Sequence, residues 1–376
     1  MRVGVVTTSY PRFAGDPAGS FVGAHVAAMR AMGLDVDVIA AADRSADRAA
    51  DRAADATSGD ARVWRVPARD GLFYRGGAPD AIERSPARSL AAAAAFTARF
   101  TRELRARSGA WDAIVAHWWA PSALAAIAAR PLSRVPLVAI AHGGDVYTLA
   151  RLGLLAPALH LLRARRARLV FVSAALRAVA RAAAPALDRW LDDALVQPMG
   201  IDVAHFAGIA RAPEAPPIVL VAARCVPIKG IDVAIEAMRG VPHARLVVAG
   251  DGPERAQLAT RGVGELLGEV TAQRRDELLA RASLVAIPSR VVGTRTEGMP
   301  LIALEALAAR VPVVASRVGG LAELGDAVAL VPPDDPAALA RAIERVLANP
   351  PPPEQLAAAV AHLDWRAIAP RLLRAA

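Results

Sequence analysis

The sequence predicts an α/β protein of two domains, each a parallel sheet covered by helices on both faces. Three observations carry that expectation. Short apolar, β-rich runs alternate with Ala/Leu/Arg segments of helical period, the order that builds parallel sheets. The alternation breaks at residues 208–217, where Pro213, Pro216 and Pro217 read as a linker, and then starts again. A chain of 376 residues exceeds one ordinary open α/β domain and suits two. The expected domains are therefore 1–209 and 210–376.

In the first half, strands are expected at 3–7, 36–40, 63–66, 114–116, 137–141, 169–172 and 195–197, with helices at 21–32, 90–107, 122–130 and 176–184. The strand runs are short and almost wholly apolar, as burial on both faces requires. Ser20 is the expected N-cap of the first helix. Between Asp43 and Asp55, aspartate recurs every fourth residue beside Arg44, Arg48 and Arg52, which reads as a solvated loop or frayed helix. In the second half, strands are expected at 218–222, 246–249, 284–287, 311–315 and 327–331, enclosing helices at 231–238, 254–260, 272–281, 301–309 and 337–347. A proline run at 350–353 closes the last strand–helix unit. The tail 354–376 is helical with Trp365 inside it, and its end, about 362–376, is a candidate to pack back on the first domain.

With 55% hydrophobic and 22% charged residues, the chain can bury large cores and is not disordered. Aromatics make up only 4%, so those cores are expected to be Ala, Val and Leu. The single cysteine, Cys225, cannot form an internal disulfide, and no Cys/His cluster has zinc spacing. Both points fit a reducing, cytoplasmic setting. The apolar run at the N-terminus is too short for a signal peptide and reads as a first buried strand. No uncharged stretch reaches membrane-spanning length. The formal net charge of +9 would attract nucleic acid, anionic lipid or phosphorylated ligands. No aromatic stacking set accompanies it, which argues against nucleic acid. Of the 45 basic residues, 44 are arginine. The one lysine, Lys229, suggests a place where a compact ammonium is needed.

In open α/β sheets, ligands bind at the carboxyl ends of strands, so chemistry is expected in the loops that follow them. After the strand 218–222, Arg224 and Lys229 stand five residues apart ahead of a helix beginning near Gly230, two cations suited to a diphosphate. A salt-bridged loop is the plainer reading. In Glu297-Gly298-Met299-Pro300-Leu301, Gly298 permits close backbone approach and Pro300 suits a helix start. The helix N-terminus then offers N–H groups to phosphate, with Glu305 in the second turn able to accept from vicinal hydroxyls. The plainer reading is a helix start decorated with acids. Gly250-Asp251-Gly252-Pro253 reads as a tight strand–helix turn. His142-Gly143-Gly144-Asp145 follows a strand in the first half and suits hydroxyl binding. The loop 10–20, with Gly15 and Gly19, is a weaker candidate for contact with phosphate or acceptor.

Taken in order, these residues resemble the retaining glycosyltransferases of family 4 over nearly the whole chain. The resemblance includes the loop 10–20, 142–145, and Met199-Gly200-Ile201-Asp202 with Phe206. In the second half it includes 224–230, 250–253, 288–305, 312–316 and Gly319-Gly320. It implies the GT-B architecture, two Rossmann-like domains with parallel sheets facing a central cleft. The first domain would bind the acceptor and the second the nucleotide-sugar. The implied reaction moves a hexosyl unit from a nucleotide-diphosphate sugar to a hydroxyl of a glycan, lipid-linked or small-molecule acceptor, with retention and without cofactor or metal. Polysaccharide or glycolipid biosynthesis is the implied setting. Arg224 and Lys229 would hold the diphosphate, Glu305 the ribose, and Glu297 would lie near the donor sugar. The backbone through Gly298, Met299, Pro300 and Leu301 would touch phosphate or sugar. His142 would reach the donor sugar, completing a catalytic set with Arg224, Lys229 and Glu297. Gly15, Gly19 and Asp145 would line the acceptor or donor-sugar side. The chain departs from the family in having Ala223 where glycine is usual, in separating Gly15 from Gly19, and in the basic stretch 290–296.

A sugar phosphorylase or nucleotide-sugar epimerase of the same fold would grip phosphate at similar positions, and a non-catalytic paralogue would bind nucleotide-sugar without turnover. The intact set of His142, Arg224, Lys229, Glu297 and Glu305 argues against the last. The basic segment 163–168 after the apolar run 152–162 is a candidate contact with an anionic membrane surface, or a solvated helix end.

Overall fold

A computed structural model describes residues 1–42, 62–69, 72–74, 77–129, 135–262 and 264–374; the aspartate-repeat segment lies outside them. The chain divides into two compact units, 1–200 together with 365–376, and 201–364.

The first unit is built on a seven-stranded sheet in which every pairing is parallel. In chain order its strands are β1 (Arg2–Val6), β2 (Asp35–Ala42), β3 (Val63–Pro67), β4 (Ala113–His117), β5 (Leu137–Ala141), β6 (Arg168–Phe171) and β7 (Leu195–Val196). They lie side by side as β3-β2-β1-β4-β5-β6-β7. Every residue of β4 and β5 is buried, which explains their unbroken apolar runs. The order reverses between β1 and β4, a switch point where the following loops diverge and leave room for a ligand. The helix Pro86–Arg107 buries Phe96, Phe100 and Leu104, one stripe at four-residue spacing. The C-terminal helix Trp365–Arg374 packs beside the helix Ser20–Ala31. Trp365 stacks flat on His25, with ring centres 4.8 Å apart.

The second unit holds a six-stranded parallel sheet of β8 (Ile218–Ala222), β9 (Arg245–Ala249), β10 (Glu265–Gly268), β11 (Leu284–Ile287), β12 (Val313–Ser316) and β13 (Ala329–Val331). Their order is β10-β9-β8-β11-β12-β13, with the switch between β8 and β11. The core around Val219, Ile235, Val248 and Ile343 is built of Val, Ile, Leu and Ala with Met238 and Cys225.

Several elements differ from expectation. The edge strand β10 was not predicted, because only Gly268 of its four residues is buried and no apolar run marks it. The short helices Ala78–Arg84, Gly144–Arg151 and Leu155–Ala164 were likewise not predicted. Ser20 is not the N-cap. It is the first helical residue, and Gly19 takes the cap position at φ 69° without any side-chain cap. The tail is two helices, Pro353–Val360 and Trp365–Arg374, broken before Trp365. The stretch 208–217 is not a loose linker either. Ala212 and Glu214 donate backbone hydrogen bonds to Ala280 and Arg281, and Arg211 donates to the carbonyls of Leu279, Ala280 and Ala282. These bonds satisfy the carbonyls that the end of the helix Ala272–Arg281 leaves unpaired.

Candidate functional site

In the second unit, the predicted donor residues arrive on the loops after β8 and β11. Arg224 is exposed on the first of these, and Lys229 ends a one-turn helix, Pro227–Lys229. Gly230 then turns the chain at φ 59° into the helix Ile231–Met238; a Cβ there would sit 2.0 Å from the carbonyl oxygen of Pro288. Only glycine permits that approach of the two loops. The approach brings Lys229 Nζ to 2.6 Å from Glu297 Oε1. Ser289 Oγ donates to the same carboxylate oxygen at 2.9 Å. Lys229 and Glu297, read separately from the sequence, are thus one ion pair held by a serine. Gly298, Met299 and Pro300 lead from this pair into the helix Leu301–Ala308, with Pro300 at the N-cap.

Glu305 lies one turn further along that helix and is buried. It is not joined to Lys229. Its Oε1 accepts from Arg275 at 3.1 Å. Burial pushes the Glu305 carboxyl above its usual range, and the Arg275 guanidinium opposes that shift. Arg275 lies over the ring of Phe206 at 5.0 Å and pairs with Asp276, which also bonds His205 at 2.8 Å. The turn at Gly250 and Gly252 packs beneath the Arg224 loop, where Cys225 donates its N–H to Asp251. Arg290, in the basic stretch, is bound by Asp232 and Asp334.

In the first unit, the loops after β1, β4 and β5 carry the candidates. His142 follows β5. Asp145 is buried, and its carboxylate accepts from the backbone N–H groups of Trp119, His142 and Gly143. It therefore shapes this turn and ties it to the loop after β4. The imidazole of His142 meets His117 at 3.1 Å, and His117 meets His25 at 3.1 Å. Burial lowers the pKa of all three, to about 3 for His25 and His142. Trp118 packs on His142 with ring centres 4.7 Å apart. Its φ of 66° and ψ of 128° lie where a side chain costs about 1–3 kcal/mol, a strain that clusters at functional sites. The loop 10–20 is tied down: Asp16 accepts from the Arg12 backbone and guanidinium, and Arg12 lies over Tyr74 at 4.8 Å. Gly15 is exposed on this loop, and Gly19 packs against the backbone of Ser9.

Comparison with known proteins places this arrangement. The family model for Glycosyltransferase Family 4 matches residues 18–205, and that for Glycosyl transferases group 1 matches residues 216–349. TuaC of Bacillus subtilis (strain 168), a glycosyltransferase named for teichuronic acid biosynthesis, is 30% identical over 366 residues, 92% of this chain and 89% of TuaC. The chain belongs to glycosyltransferase family 4. Among solved structures, Anabaena HepE in complex with UDP-glucose shares the fold of this glycosyltransferase, with a TM-score of 0.69 and 18% identity, covering 100% of this chain and 98% of that one. Sucrose-phosphate synthase from Thermosynechococcus elongatus does so with a TM-score of 0.68 and 21% identity, covering 100% and 98%. The architecture is thus the GT-B type, two α/β units with parallel sheets.

Reading the glycosyltransferase's sequence alone gave Ser289 no role of its own and missed Arg275, Trp118, His117 and His25. His117 and Ser289 lie at or just after a strand's carboxyl end, a placement that could have flagged them. His25 and Arg275 lie within helices, where nothing local marks them.

Proposed function

We propose that this glycosyltransferase moves a hexosyl unit from a nucleotide-diphosphate sugar to a hydroxyl acceptor with retention of configuration. The observation that carries the reading is the Lys229–Glu297 pair beside the start of the helix Leu301–Ala308, with Glu305 one turn further in. One ammonium donor of Lys229 engages Glu297, and an ammonium has three, so the pair leaves donors for a diphosphate. The first-turn N–H groups of a helix favour the same anion. Arg224 and Lys229 together place positive charge where the departing diphosphate develops negative charge, so the chemistry needs no metal. Glu305, held by Arg275, keeps its other oxygen for the ribose hydroxyls. The fold shared with HepE, whose structure holds UDP-glucose, supports the donor class, and TuaC supports a role in polysaccharide or glycolipid assembly. Retention and hexose rest on the match of Arg224, Lys229, Glu297 and Glu305 to family 4.

A panel of nucleotide-sugars tested by thermal shift decides the donor, since a ligand bound by the native state raises the melting point. Lys229→Ala and Glu305→Ala are expected to stay folded and lose that shift; nucleotide affinity equal to wild type in either variant overturns the assignment. Nucleotide release that depends on an acceptor hydroxyl separates this reaction from a phosphorylase or epimerase.

The setting we propose is cytoplasmic, at an anionic membrane surface. On the helix Leu155–Ala164 and its flanks, Leu154 and Leu161 are 50% and 40% exposed beside the exposed Arg163, Arg165 and Arg166. Exposed apolar side chains and arginines along one short helical stretch suit a bilayer interface. No helix among the described residues is long and apolar enough to cross a membrane.

A further inference from the structure

Three histidines of the first unit, His25 and His117 buried and His142 half-buried, come from three different elements. His25 lies in the helix Ser20–Ala31, His117 ends β4, and His142 opens the loop after β5. Their rings are joined head to tail: His25 Nδ1 to His117 Nε2 at 3.1 Å, and His117 Nδ1 to His142 Nε2 at 3.1 Å. We propose that His25, His117 and His142 form a neutral imidazole chain whose polarity fixes the tautomer of His142, with His117 as the positioning residue. His142 Nδ1–H is thereby held as a donor to a hydroxyl of the donor sugar. The sugar contact rests on the function proposed above; the chain itself does not.

The polarity follows from counting protons. A neutral imidazole has one N–H and one lone pair, so setting the tautomer of one ring sets the other two. If all three rings carry the proton on Nε2, His25 is left with a buried N–H that has no acceptor, because its Nε2 has no partner among the described residues. If all three carry it on Nδ1, only a lone pair is left unpaired at that end, and orphaned buried N–H groups are the rarer of the two. The second arrangement turns the N–H of His142 outward from the chain.

The surroundings oppose any added charge. A proton added to any ring would set an N–H against an N–H or bury a cation. His25 is sealed by the parallel face of Trp365, and burial lowers all three imidazoles. Phe21 and Trp118 flank His142 with ring centres at 5.1 and 4.7 Å. The acidic group beside it is Asp145, whose oxygens are taken by the backbone N–H groups of Trp119, His142 and Gly143. His142 therefore acts as a fixed hydrogen-bond donor and not as a base.

Proton–nitrogen correlation spectra of the full chain, labelled at the histidine ring nitrogens, test this without any ligand. The expected result is Nδ1–H in all three rings, unchanged between about pH 5 and 8, the range in which an ordinary histidine titrates. An Nε2–H tautomer at His142, or titration of His142 in that range, overturns the proposal. In His117→Phe, His142 is expected to show mixed tautomers. There kcat should fall about ten-fold, the rate equivalent of one lost hydrogen bond, with nucleotide affinity unchanged. His117→Asn, whose amide nitrogen can stand in for Nδ1, should restore both. An unchanged His142 tautomer and unchanged kcat in His117→Phe overturn the positioning role. If the wild type turns over no nucleotide-sugar, the function proposed above fails while the spectra still decide the chain.

Discussion

At the residue scale, the histidine chain makes stability depend on pH in a defined direction. The ordinary histidine value is 6.5, and in the folded chain His25 and His142 lie at about 3. Between those values the unfolded chain binds protons that the native chain refuses. The stability is therefore complete above about pH 6.5 and is lost as the pH falls towards 3, by roughly 1.4 kcal/mol per unit for each imidazole. Melting temperatures followed from neutral to acidic pH should drop steeply through this window, and His25→Phe should flatten the slope. Equal slopes in the variant and the wild type would show that carboxylates, not these rings, set the acid limit. Lys229, Arg224, Glu297 and His142 were legible because they sit in loops that follow strands, and Glu305 because it lies in the helix that the Gly298–Pro300 turn opens. Their pairing was not. Lys229 and Glu297 are 68 residues apart, and His25 and His117 are 92 apart, so each pair exists only once the loops are folded together.

At the element scale, most strands and helices could be read from apolar periodicity, whereas β10 and the short helices Ala78–Arg84, Gly144–Arg151 and Leu155–Ala164 could not. Such elements carry too few residues for a period to show, and neighbouring packing decides them. The helix Leu155–Ala164 buries Leu155, Ala158, Leu159 and Leu162, the face that made its sequence look merely apolar. Its other face supports a prediction. Replacing Arg163, Arg165 and Arg166 with glutamate should abolish pelleting with acidic liposomes at low salt, while thermal stability stays within about 0.5 kcal/mol, as for most surface substitutions. Failure of the wild type itself to pellet would remove the membrane role. The strap 208–217 shows the converse limit. Its prolines announce a break in the strand–helix pattern, but Arg211 and Glu214 decide that it lies along the helix Ala272–Arg281.

At the scale of the whole molecule, the chain leaves the second unit at Asp364 and ends in the first. Trp365 is its main anchor there. It is 5% exposed, stacks on His25, and lies so close to Gly200 that a Cβ on that residue would meet the indole at 2.5 Å. Trp365→Ala should cost the first unit about 3–5 kcal/mol and lower its unfolding transition by roughly 10 °C. Nucleotide-induced stabilisation of the second unit should persist. A variant that melts like the wild type would show that the terminal helix contributes nothing to the first unit.

The sequence by itself determined the α/β class, the two sheets, the family and the strand-end loops that hold the candidate residues. Those follow from local hydrophobic period and from residues clustered within a few positions of one another. Only the tertiary structure decided that Lys229 is paired with Glu297, that Glu305 is held by Arg275, that Asp145 binds backbone, and that three histidines join in a line. Each of these is a contact between segments distant in sequence. A hydrogen bond or ion pair depends on distance and direction in space, and those are set by how the strands are ordered in the sheet.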